Sequence, residues 1–131
     1  MWTWVRDRRF PHLAAWFNAQ VTAGLVLVCD LVALELTRLA ANEARAREVA
    51  ERLGLFESLP MPEGLWRRTR ELQLQLAGNG DHRRVPPVDL VLAACAEAAS
   101  VPLVHYDRDY ERIAAVSSVD QRWLVADGSL A

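Results

Sequence analysis

The stretch Pro86–Ile113, PPVDLVLAACAEAASVPLVHYDRDYERI, decides how the rest of the chain is read. Its pattern predicts a helix, a tight connection, a short buried strand and a second helix, which is an α/β unit. Pro86 and Pro87 suit a helix start, because the N–H that proline lacks would be unsatisfied there in any case. From Val88 to Ala99 the segment is apolar on nearly every face, as in a helix packed on several sides. Asp89 nevertheless sits in its first turn, between Val88 and Leu90. Val101-Pro102-Leu103-Val104 then runs into His105-Tyr106-Asp107-Arg108-Asp109. Carboxylates therefore gather at the start of an apolar helix and at the carboxyl end of a strand. In open α/β sheets that end of the strands is where ligands bind.

Working outward, Leu25–Cys29 (LVLVC) is a short β-branched-rich run that predicts a buried parallel strand. Asp30 is placed to cap a helix over 31–40. A more polar helix follows over Asn42–Leu55, with Val49 and Leu53 on its core side. Before the first strand, Leu13, Trp16, Phe17 and Val21 have helical spacing, and Gly24 closes that helix. Trp2–Arg9 reads as the end of a helix. Ser58–Pro62 is expected to be a turn-rich connection. Glu63–Ala77 predicts a helix buried through Trp66, Leu72 and Leu76, although its ELQLQL section also alternates with period two. Gly78-Asn79-Gly80-Asp81 is a loop. Tyr110–Val116 is a short helix, and Gln121–Val125 a final edge strand. Helices alternating with short strands make an α/β sandwich in which every strand is parallel.

Composition agrees with this class and removes others. At 131 residues the chain fits one domain, 1–131, with an adequate core. Hydrophobic residues at 52% and charged residues at 24% describe a globular chain, not a disordered one. No apolar run is long enough to span a membrane, and the opening lacks the pattern of a secretory signal, so a cytoplasmic protein is expected. Cys29 and Cys95 have no metal spacing and read as reduced, buried small hydrophobes. The net charge of −2 rules out a polycation that coats nucleic acid. All 15 basic residues are arginine, which offers planar, bidentate phosphate contacts. Arg6, Arg8 and Arg9, Arg67, Arg68 and Arg70, and Arg83 and Arg84 form local clusters that could meet an RNA backbone; for most of them a solvated helix face is the plainer reading.

The acids have plain readings too. Glu35 lies among Leu31-Val32-Ala33-Leu34 and Leu36, and taken alone it reads as an exposed position or a partner of Arg38. Asp89 suits the positive end of its helix. Asp107 and Asp109 suit a helix cap. As a set, however, these four acids are placed by the expected helices and strands to meet at one end of the sheet. His105, ending a buried strand, is expected to hydrogen-bond within the core, and His82 to be a surface histidine with RNA contact as the alternative.

LVLVCDLVALEL (25–36), PPVDLVLAACAEA (86–98) and PLVHYDRDYERIA (102–114) resemble the PIN-domain ribonucleases, in particular the VapC toxins of VapBC toxin–antitoxin pairs. The resemblance reaches Trp123, and HYDRDYERIA is its most specific part. It implies a three-layer α/β/α sandwich with a short parallel sheet, and endonucleolytic cleavage of RNA, tRNA or rRNA being the expected substrates. It also implies acids at Glu35, Asp89 and Asp107 that bind Mg²⁺ or Mn²⁺, with Asp109 as an accessory acid. A VapB-type antitoxin and a homodimer follow from the same resemblance, and Trp2, Trp4 and Trp16 could belong either to the dimer surface or to the core. His82, Arg83 and Arg84 are candidate RNA contacts. The chemistry is coherent: hard divalent cations take oxygen ligands, and such an ion activates a water and offsets charge on the phosphate.

One departure stands out. The family's first motif is an N-terminal strand, central in the sheet, that ends in a ligand Asp; here the opening residues match the helix after it, and Asp7 is not a substitute. The expectation is a start assigned downstream of the true one, the alternative being a truncated relative that persists as a non-catalytic binding module. As written, the chain is expected to bind metal weakly and to cleave RNA poorly or not at all. A phosphohydrolase-like domain is disfavoured, because no glycine-rich phosphate loop is present.

Overall fold

A computed structural model describes residues 7–130. The helical reading of Trp2–Arg9 and the placement of Trp2 and Trp4 fall mostly outside them; Asp7–Phe10 form a turn in which Asp7 accepts from the Arg9 backbone at 2.9 Å. The chain divides into two compact units, one running to Ser58 and including Leu130, the other Leu59–Ser129.

The first unit contains α1 (Pro11–Thr22), β1 (Leu27–Cys29), α2 (Asp30–Arg38), α3 (Glu43–Leu53) and the first two residues of β2 (Glu57–Leu59). Leu13 and Phe17, one turn apart, turn the buried face of α1 inward, and the Phe17 and Phe56 rings stand 6.2 Å apart. Trp16 falls off that face and is exposed. Gly24 takes a φ of 70°, which lets the chain leave α1 where a side chain would be strained. Helix α2 starts at Asp30 itself, so this residue lies in the first turn instead of capping from outside. Asn42 does cap α3, accepting from the Arg45 N–H at 3.0 Å.

In the second unit, α4 (Leu65–Gly78) packs on α5 (Pro87–Ala99), and α5 on α6 (Asp109–Ala114). Strand β3 (Leu103–His105) pairs in parallel with β4 (Gln121–Trp123), Leu103 opposite Gln121 and His105 opposite Trp123. Leu72, Leu76, Ile113 and Cys95 are fully buried there, and α5 is buried through Leu90, Val91 and Ala93–Ala96. That breadth explains why α5 reads as apolar on almost every face. Neither Cys29 nor Cys95 is in a disulfide, and both are buried.

The α/β class with short parallel strands is as expected, and four differences are informative. The strands form two separate pairs, β1 with β2 and β3 with β4, and among the described residues no strand joins them. Glu57–Leu59 is a strand and not a turn, because β1 supplies a partner that no local pattern announces. Trp66 is 63% exposed. The buried face of α4 is instead Leu65, Thr69, Leu72 and Leu76, spaced by four, three and four residues, and Trp66 lies about 100° round the helix from Leu65. Lastly, Arg68 is spent internally: its guanidinium grips Glu97 through two bonds of 2.8 and 3.0 Å, joining α4 to α5. No described helix is long and apolar enough to cross a membrane.

Candidate metal centre

Asp89 projects from the first turn of α5, Asp107 follows β3 directly, and Asp109 opens α6. The fold brings one carboxylate oxygen of each within 4.8 Å of the others. Asp89 and Asp109 are half-buried and Asp107 is exposed, so the cluster is anchored below and open above. Glu35, the fourth acid expected, belongs to no such group among the described residues; in the first unit it accepts from Arg38 at 2.9 Å.

Each acid of the trio is held through one oxygen. The Tyr110 hydroxyl donates to Asp89 Oδ1 at 3.0 Å. The Asp109 N–H donates to Asp107 Oδ1 at 2.9 Å, closing a tight turn after β3. Arg112 Nη1 donates to Asp109 Oδ1 at 2.7 Å, and its Nε lies 3.7 Å from Asp81. Arg112 thereby ties the 79–84 loop, with exposed His82, Arg83 and Arg84, to the acid cluster. No other hydrogen bond to these three carboxylates is found among the described residues.

Beneath the turn, His105 is buried, as expected of a core histidine. Its ring lies 4.8 Å from both Tyr110 and Trp123. Burial pulls its pKa down, against the opposing bond to Gln121, so the imidazole is neutral near pH 7. Nδ1 accepts from the Asp107 N–H at 3.1 Å, which leaves Nε2 to donate to Gln121. The backbone carrying Asp107 is thus fixed on both sides of the residue.

Burial pushes the Asp89 carboxyl above the usual range; the Tyr110 bond opposes this, and the charges of Asp107 and Asp109 add to it. The Tyr110 phenol is pushed up by burial and by Asp89, so it stays protonated and remains a donor. A carboxyl with a raised folded pKa contributes stability below its unfolded value, and that contribution is lost as pH rises through the folded value. Metal-free protein should therefore fall behind Asp89→Asn in thermal stability as pH is raised from about 4, the ordinary carboxyl value, to 8. Melting curves of the two proteins across that range check this; a constant difference would contradict it.

Three carboxylates at this spacing form a hard oxygen donor set that fits Mg²⁺ or Mn²⁺. Asp107 and Asp109 follow the carboxyl end of β3, and in α/β sheets that is the end where ligands bind. The PIN domain family model matches residues 2–116, and the chain belongs to that family. The match runs through both compact units. Three relatives in Mycobacterium tuberculosis are ribonucleases by name. Ribonuclease VapC21 is 38% identical over 111 residues, covering 81% of this chain and 78% of that protein. Ribonuclease VapC18 is 31% identical over 122 residues, covering 92% and 89%. Ribonuclease VapC17 is 32% identical over 121 residues, covering 88% and 90%.

The positions of Asp89, Asp107 and Asp109 were legible in the sequence. Tyr110 and Arg112 carry no such signal, although both lie in HYDRDYERIA. An aromatic next to an acid reads as core, and an arginine at i+3 reads as a surface pair.

Proposed function

We propose that the protein is a metal-dependent endoribonuclease toxin of the VapC kind, a single PIN-like domain acting in the cytoplasm. The observation that carries this is the convergence of Asp89, Asp107 and Asp109 within 4.8 Å in a PIN-family chain whose relatives are named ribonucleases. Asp89 and Asp107 would hold Mg²⁺ or Mn²⁺, with Asp109 as the accessory acid, since Arg112 already offsets part of its charge. For Glu35 a ligand role rests on the family pattern alone. When bound, such an ion activates water for attack on a phosphodiester and offsets charge on the phosphate. The protein's own part is to orient the carboxylates and to seat the RNA.

Arg83 and Arg84 are exposed and have no ion pair among the described residues, and their loop is moored to the site through Asp81 and Arg112. This supports RNA phosphates as their partners. A VapB-type antitoxin and a homodimer are the partners the family membership suggests. The direct test is incubation with tRNA and rRNA in Mg²⁺, in Mn²⁺ and in chelator. Slow cleavage with metal and none in chelator is expected; intact RNA in both metals would overturn the enzyme reading in favour of a non-catalytic binding module. Replacing both Arg83 and Arg84 by Ala should lower the magnitude of the slope of log affinity against log salt by about 1.4 to 1.8. An unchanged slope would place the RNA elsewhere.

A further inference from the structure

The acid cluster contains a problem that a metal alone does not solve. Asp89 is carried by α5, whereas Asp107 and Asp109 are carried by the turn between β3 and α6. Three like charges so close repel one another, and each side chain can rotate away unless something holds it. Asp107 and Asp109 have local holders, a backbone N–H two residues on and an arginine three residues on. Asp89 has none on its own helix. Its holder comes from the opposite segment: Tyr110, adjacent to Asp109, crosses to Asp89 Oδ1 at 3.0 Å.

Tyr110 is well built for this. Its side chain is buried at 7% exposure, with the ring against His105, so the hydroxyl has little freedom to move. The phenol O–H donates to one Asp89 oxygen and leaves the other for a cation. A phenylalanine would fill the same space and leave Asp89 unheld.

We propose that Tyr110 is a positioning residue of the metal centre, orienting Asp89 toward Asp107 and Asp109 across two separate elements. This rests on the metal-site reading above. Partners of this kind commonly contribute 10- to 100-fold in metal affinity, so Tyr110→Phe should weaken Mn²⁺ binding by roughly 10-fold while melting close to the wild type.

Mn²⁺ affinity by electron paramagnetic resonance on the full chain tests this without any need for catalysis. Wild type should bind, Asp89→Asn should lose binding, and Tyr110→Phe should fall between them. Tyr110→Phe added to Asp89→Asn should change nothing further. The chain has two tyrosines, so 3-fluorotyrosine labelling yields two ¹⁹F signals, with Tyr110 assigned by its loss in Tyr110→Phe. That signal should move on adding Mg²⁺ to wild type and stay still in Asp89→Asn, a signature that a purely structural role would not produce. If wild type binds Mn²⁺ and Asp89→Asn does not, but Tyr110→Phe binds as wild type does and the ¹⁹F signal is unmoved, the positioning role is wrong and the metal site stands. If wild type binds no Mn²⁺, both fail.

Discussion

Asp89→Asn is expected to reduce metal-dependent RNA cleavage by on the order of 100-fold or more, while raising the melting temperature of the metal-free protein at pH 7 by about 2–5 °C. The two effects share one cause. Asp89 is half-buried beside two other carboxylates, so its charge is disfavoured in the folded chain until a cation offsets it. Asparagine keeps an oxygen that can accept from Tyr110 and removes the charge, which relieves the repulsion. The same change takes a ligand from the ion, and with it several kcal/mol of help to the developing charge. Stability gained with activity lost is the mark of a functional acid. An acid that merely complements the helix end would show the reverse, because neutralising it costs stability. Melting curves with and without Mn²⁺ and a gel assay of RNA cleavage, run on the same preparations, distinguish the two. Loss of both stability and cleavage would point to a structural Asp89.

The largest stability effect is expected at Leu72. Leu72→Ala should cost about 3 kcal/mol and lower the melting temperature by roughly 10 °C. Leu72 is 0% exposed on α4, within the unit where α4 packs on α5. Removing its methyl groups leaves a cavity that fixed helices cannot close. Trp66→Ala, six residues earlier on the same helix, should change stability by no more than about 0.5 kcal/mol, because its ring is already in water. Calorimetry of both variants checks the pair. A larger loss at Trp66 than at Leu72 would mean that the buried face of α4 is misplaced.

This pair also shows where pattern and structure part. On α4, size pointed to Trp66, and geometry placed Thr69 on the inward face instead. A buried threonine is tolerable because its hydroxyl donates to the Trp66 carbonyl at 3.0 Å, a local bond that composition does not reveal. On α5 and β3 the pattern was nearly sufficient, since a helix apolar all round and a short run ending in acids admit few arrangements. Strand β2 was illegible: three residues, Glu57-Ser58-Leu59, carry no strand signal of their own.

The sequence by itself determined the alternation of helices and short strands, the burial of the Pro87–Ala99 helix, and the carriage of acids by its first turn and by the turn after β3. These are local quantities, set by period, caps and composition within about ten residues. Tertiary structure alone decided partners. It joined Arg68 to Glu97, 29 positions away. It brought Tyr110 to Asp89, 21 positions away. Which side chain meets which across such separations depends on how packed elements are rotated against each other, and a change of one residue in register turns a helix face by about 100°.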